Sequence, residues 1–183
     1  MIQETADARN PMPVVHRTMA MSVPLRERFF EDYAAGEVFE FGDYLITREE
    51  IIEFASRYDP QAFHLDEAAA AKTHFGGLAA SGWMTCSVLM RMLVDNYISP
   101  RSSMGSPGLE EIRWLQPVRP GDRLRVRVTI DSTRPSASKP DRGFVMASQQ
   151  VLNQRDQVVL SVRGTGMYRT RASVSAADGV TPS

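Results

Sequence analysis

The sequence predicts an α+β domain, with an antiparallel sheet wrapped around one long central helix. Three observations predict it. Residues 83–94 are apolar on more than one side at helical spacing (Trp83, Met84, Val88, Leu89, Met90, Met92, Leu93, Val94), so this helix needs enclosure on most sides. Four strand-like segments follow it and one precedes it, rather than strands and helices alternating as in a parallel α/β fold. Within the strands, residues 123–130 alternate cleanly. Leu124, Val126, Val128 and Ile130 point one way, and Arg123, Arg125, Arg127 and Thr129 the other, as a half-buried strand requires.

The elements follow in order. Val38–Leu45, carrying Phe39, Phe41 and Tyr44, reads as the first strand. Thr47-Arg48-Glu49-Glu50 fits a capping box, in which hydroxyl and carboxylate each satisfy a backbone donor, and Ile46 and Ile51 are spaced as a hydrophobic staple. The helix these residues start ends at Asp59, because Pro60 disfavours helical geometry in the residue before it. Asp66 is placed to cap a small alanine-rich helix from Glu67 to about His74, which Gly76-Gly77 breaks. Ser81 or Gly82 begins the central helix, which runs to about Asn96. Residues 99–108 read as a loop, Glu110–Leu115 as a strand, and residues 116–122 as a turn-rich connector. After the alternating strand, residues 134–143 read as a long hairpin loop, and Gly143–Leu152 and Val158–Tyr168 as the last two strands.

Length and composition bound the rest. The 183 residues suffice for one ordinary domain. Residues 1–28 lack periodicity and read as a mobile extension, 29–170 as the folded domain, and 171–183 as a flexible tail. Net charge is −1, with 21 basic and 22 acidic residues, which argues against a nucleic-acid binder. Lys72 and Lys139 are the only lysines. Some of the many arginines are candidates for phosphate contacts, since a guanidinium suits bidentate binding of phosphate. No apolar run reaches the roughly 20 residues of a membrane span. A lone cysteine, Cys86, excludes an internal disulfide and a cysteine-cluster zinc site. Cys86 fits a reducing cytoplasm and reads as core filler.

Two features have the makings of chemistry. Asp59 and His64 stand five residues apart around a helix break. An acid beside an imidazole can hold and activate a water, because imidazole exchanges protons near neutral pH. The plainer readings are a turn-forming Asp before Pro60 and a structural His, and spacing leaves both open. The second feature is Gly76-Gly-Leu-Ala-Ala-Ser-Gly82, leading into the central helix. Unpaired N–H groups and partial positive charge at a helix start suit a developing oxyanion. His74 reads as a partner for the small helix's C-terminal dipole.

Together these residues resemble the MaoC-like dehydratases, the family of (R)-specific enoyl-CoA hydratases with the hot-dog fold. The resemblance spans about residues 35–170. Asp59 and His64 match the acid and the imidazole of the family pattern, Leu65-Asp66 matches the Leu-Asp directly after that imidazole, and Ser81-Gly82-Trp83-Met84 stands at the start of the central helix. Downstream, Pro117-Val118-Arg119-Pro120-Gly121-Asp122 matches a Pro-Val-x-x-Gly-Asp connector. Gln61, Ala62 and Ser81 replace the family's Asn, Pro and His. The resemblance implies reversible hydration of a trans-2-enoyl thioester to a (3R)-hydroxyacyl thioester. Asp59 and His64 would be catalytic, and the Gly82 backbone N–H would be the oxyanion donor. It implies no cofactor and no metal, with an acyl-CoA or acyl-carrier thioester as substrate partner and a homodimer or higher homo-oligomer as the assembly. A thioesterase and a non-catalytic acyl-binding domain are the alternatives on the same fold.

Overall fold

The computed structural model describes residues 23–178, so most of the expected N-terminal extension lies outside the described residues. The elements are β1 (Val38–Leu45), α1 (Arg48–Tyr58), α2 (Ala62–Leu65), α3 (Glu67–Ala71), α4 (Gly82–Asn96), β2 (Gly108–Trp114), β3 (Arg123–Pro135), β4 (Arg142–Leu152), β5 (Val158–Arg169) and α5 (Arg171–Asp178). All strand pairs are antiparallel, in the order β1-β3-β4-β5-β2. The sheet therefore ends on β1 at one edge and β2 at the other. Among the described residues, no helix is long and apolar enough to cross a membrane.

The core is built from the apolar sides of the sheet and α4. Leu124, Val126, Val128 and Ile130 of β3 are all buried, together with Met84, Val88, Leu89, Met92 and Leu93 of α4. The opposite side of β3 carries cross-strand ion pairs to β1, with Arg127 reaching Glu40 at 2.5 Å and Arg123 reaching Asp43. Its arginines are thus engaged by carboxylates of the neighbouring strand. β1 itself is bent by a bulge between Phe41 and Tyr44. Gly42 sits in that bulge at φ +85°, close against Met92.

Enclosure of α4 is one-sided. Trp83, Met90 and Val94 stand 58%, 52% and 45% exposed, because five strands cover only one flank of the helix. The capping box at the start of α1 forms as the sequence implies. The Thr47 hydroxyl accepts from Glu50 N–H at 3.2 Å, the Glu50 carboxylate accepts from Thr47 N–H at 3.3 Å, and Ile46 and Ile51 are both buried.

Four local expectations differ from the structure. α3 stops at Ala71, three residues before His74, because the Thr73 hydroxyl donates to the Ala70 carbonyl at 2.7 Å and takes an acceptor that a longer helix would use. His74 therefore lies in a turn, exposed, its ring 4.1 Å from that of Phe75. The hairpin loop is shorter than 134–143, since β3 continues to Pro135 and β4 begins at Arg142. Arg171–Asp178 form α5 where loose chain is expected, and the Arg171 N–H is held at 3.1 Å by the Glu31 carboxylate. Finally, Cys86 is half-buried and packs against the core from its margin rather than inside it.

Candidate active site

Pro60 ends α1, and the chain then turns tightly. Gln61 N–H donates to the Asp59 carbonyl at 2.7 Å, and His64 N–H to the Gln61 carbonyl at 2.9 Å. This turn leads into the four-residue α2, an element without a sequence signature, and α2 carries His64 into the interior. Residues five apart do not share a face of a regular helix. Here the break brings them together, with His64 Nε2 3.3 Å from Asp59 Oδ2.

The other ring nitrogen of His64 lies 2.7 Å from the carbonyl oxygen of Ala79. A carbonyl only accepts, so Nδ1 carries a proton, and whenever the ring is neutral it presents the Nε2 lone pair to Asp59. Two acceptors then face each other, an arrangement suited to a hydrogen-bonded water or to a proton shared between them. Asp59 is held on both oxygens. The Ser81 hydroxyl donates to Oδ2 at 2.7 Å and the Gln61 side-chain amide to Oδ1 at 2.6 Å. Burial pushes the Asp59 carboxyl up, but the Ser81 and Gln61 hydrogen bonds and the charge His64 carries when protonated outweigh it, and the group titrates below its ordinary value.

Ser81 also joins the pair to the central helix. As N-cap of α4 it accepts from Trp83 N–H at 3.3 Å. The next residue, Gly82, lies in the first turn of α4, where backbone N–H groups lack intrahelical partners. Gly82 lines the same cavity as Asp59 and His64, a space of about 460 Å³ that Trp83 and Trp114 also line. The absence of a side chain at Gly82 is a steric requirement, since a β-carbon there would lie 2.5 Å from Trp114 Nε1. The three residues singled out from sequence, Asp59, His64 and Gly82, thus line one cavity.

Several supports of this site escape a reading of the sequence. Gln61 and Ser81 stood out only as departures from the family pattern, yet both hold Asp59. Arg119, in the Pro-Val-x-x-Gly-Asp connector, donates to the carbonyls of Gly77 at 2.6 Å and Leu78 at 3.0 Å, and also to that of Phe75. It thereby fixes the Gly76-Gly77 segment that leads to Ala79. Proline and glycine around Arg119 marked only a turn, and no local signal announced its distant carbonyl partners. Among the described residues, no three of His, Cys, Asp and Glu gather closely enough to hold a metal ion.

Comparison with known proteins bears on the family and the fold. Residues 30–144 match the MaoC like domain. A MaoC-like dehydratase from Rhodospirillum rubrum is 41% identical and superposes with a TM-score of 0.75, covering 79% of this chain and 98% of that one. An R-hydratase from Pseudomonas aeruginosa, 21% identical, shares the fold with a TM-score of 0.65 over 87% of this chain and 90% of that one. The 3-hydroxyacyl-thioester dehydratase Z of Mycobacterium tuberculosis is 36% identical over 100 residues, which is 53% of this chain and 66% of that protein. The sheet curled around α4 is the hot-dog fold. Matched over more than half its length and superposed on nearly the whole of the Rhodospirillum rubrum protein, the chain belongs to the MaoC-like domain family.

Proposed function

We propose that this protein adds water reversibly to a trans-2-enoyl thioester of coenzyme A or an acyl carrier, giving a (3R)-hydroxyacyl thioester. The observation that carries the reading is the 3.3 Å approach of Asp59 Oδ2 to His64 Nε2 with Nδ1 already committed to Ala79. A water hydrogen-bonded to both groups gives one proton to the dyad as its oxygen adds to C3. Asp59, kept ionised by Ser81 and Gln61, orients that water and stabilises the imidazolium that forms. Negative charge develops on the thioester oxygen, and the Gly82 N–H with the positive end of α4 receives it. The dyad then returns a proton to C2, so the water ends as a hydroxyl on C3 and a hydrogen on C2. Dehydration is the same path reversed.

The unpartnered face supports a homodimer or higher homo-oligomer. Among the described residues β2 pairs only with β5, and its exposed Leu109 and Trp114, with Leu115 just beyond, continue the exposed apolar stripe of α4. Sedimentation at micromolar concentration tests this, and a monomer refutes it.

Incubation with crotonyl-CoA tests the reaction. The conjugated enoyl absorbance disappears without release of thiol, whereas a thioesterase releases thiol. Asp59→Asn and His64→Gln each lower hydration by at least about 100-fold, the scale of lost general acid–base catalysis. Near-normal turnover in both variants would refute the mechanism.

A further inference from the structure

The proposed mechanism uses Asp59, His64 and the Gly82 N–H, and it leaves one buried polar side chain of the dyad cavity without a part. Thr85 lines that cavity and is 3% exposed. Helix side chains tilt toward the N-terminus, so Thr85 reaches back over the first turn of α4, where Ser81 and Gly82 lie. Its hydroxyl donates to the Ser81 carbonyl at 3.3 Å, and its own N–H donates to the same carbonyl at 3.1 Å. Bonds of this kind, from a threonine hydroxyl to a carbonyl four residues back, are common on helices. Two things set this one apart. It is buried, so bulk water does not compete for it. The carbonyl it meets also belongs to the Ser81–Gly82 peptide, the unit whose N–H is the proposed donor to the thioester oxygen.

We propose that Thr85 is a positioning residue that acts through this peptide: by donating to the Ser81 carbonyl, its hydroxyl strengthens the Gly82 N–H toward the negative charge on the thioester oxygen. The inference rests on the proposed reaction and deepens it by naming what supports its oxyanion donor. A peptide is one conjugated unit. A hydrogen bond received at its oxygen draws electron density from its nitrogen and makes the N–H a stronger donor, by about 10–30% for each bond. The demand is greatest as the charge appears, and a hydroxyl bond of 3.3 Å has room to shorten as the peptide polarises. Removing an oxyanion donor outright costs about 100- to 1000-fold in kcat. Losing 10–30% of that free energy is therefore about a two- to eightfold effect.

The test compares the wild type with Thr85→Val, which removes the hydroxyl and keeps the branched shape, and with Thr85→Ser, which keeps the hydroxyl and drops the methyl. The readout is the carbonyl stretch of bound butyryl-CoA, carbon-13 labelled at the thioester carbon and followed by infrared difference spectroscopy. A polarised carbonyl vibrates at lower frequency, whereas a side chain that only packs changes stability and leaves that frequency alone. In the wild type the stretch falls on binding. In Thr85→Val the fall is smaller, and kcat for crotonyl-CoA hydration drops about two- to eightfold with KM unchanged. Thr85→Ser restores both. An equal fall in the wild type and Thr85→Val overturns the inference, and so does a serine variant that behaves like the valine one. Thr85→Ala, read in the same way, takes the place of a valine variant that does not fold. Because butyryl-CoA binds without reacting, the spectrum is separate from the hydration assay. A stretch that falls and responds to Thr85 without hydration of crotonyl-CoA overturns the proposed reaction, not the inference. A wild type that binds no butyryl-CoA, or binds it with no fall in the stretch, overturns both the Gly82 role and the inference.

Discussion

Replacing Ser81 with alanine separates holding a carboxylate from doing chemistry with it. Ser81 is fully buried, donates to Asp59 Oδ2 at 2.7 Å and caps α4 through Trp83 N–H. Loss of a helix N-cap costs about 1 kcal/mol. Loss of a hydrogen bond to a charged group costs about 1.5–3 kcal/mol, the lower end applying here because the Asp59 side chain keeps 18% exposure and water replaces part of the bond. Ser81→Ala therefore destabilises the fold by about 2–3 kcal/mol at neutral pH. The Asp59 carboxyl rises toward its ordinary value, since one of the hydrogen bonds that lower it is gone. A carboxyl lowered in the folded state stabilises the fold fully above its unfolded pKa of about 3.9, and that contribution is lost as pH falls through the folded value. The stability gap between wild type and Ser81→Ala is thus constant above about pH 5 and narrows below pH 4. At pH 7 Asp59 stays ionised in both proteins, so hydration falls about tenfold or less, against at least about 100-fold for Asp59→Asn. Urea unfolding across pH and carbon-13 titration of the Asp59 carboxyl measure both effects. A gap that widens in acid, an Asp59 that titrates no higher in the variant, or a Ser81→Ala protein as inactive as Asp59→Asn would refute the reasoning.

Two further substitutions test the scaffold. Arg119→Met keeps an apolar stem but loses the hydrogen bonds to Phe75, Gly77 and Leu78. Amide exchange in residues 76–80 accelerates and kcat for hydration falls by about 10-fold or more, while unchanged exchange there would show that the guanidinium does not hold the loop. Gly42→Ala forces a side chain onto a residue at φ +85° with its β-carbon 2.6 Å from Met92 Sδ. It lowers stability by about 1–3 kcal/mol as read from the denaturant midpoint, and a neutral result would contradict the bulge geometry.

The sequence revealed most where the determinants are local or periodic. The Thr47/Glu50 capping box involves neighbours only, and the alternation from Arg123 to Ile130 follows from a strand with one wet side. The Asp59 and His64 spacing drew attention because both residue types carry chemistry, although neither α2 nor the turn that joins the pair has a local signature. Distant partners stayed hidden. Arg119 meets carbonyls some forty residues earlier in the chain, and the start of α5 is pinned by Glu31 at the opposite end. Thr73 shows a local effect misread, its hydroxyl ending a helix that alanine propensity alone would extend to His74. Gln61 and Ser81 differ from the family pattern at two positions, and only the folded arrangement reveals that both reach the same carboxylate.

The hydrogen bond from His64 to the carbonyl of Ala79 also bears on how this site withstands mutation. An imidazole oriented by an acidic side chain loses its orientation with one codon change. Here the acceptor is main chain, present whichever amino acid is encoded at position 79. The tautomer that leaves Nε2 as a base is therefore buffered against direct substitution of its partner. It is vulnerable only to changes that move the backbone, so inactivating variants of this kind should gather along the Gly76–Ala80 segment and at Arg119 rather than at a single orienting residue.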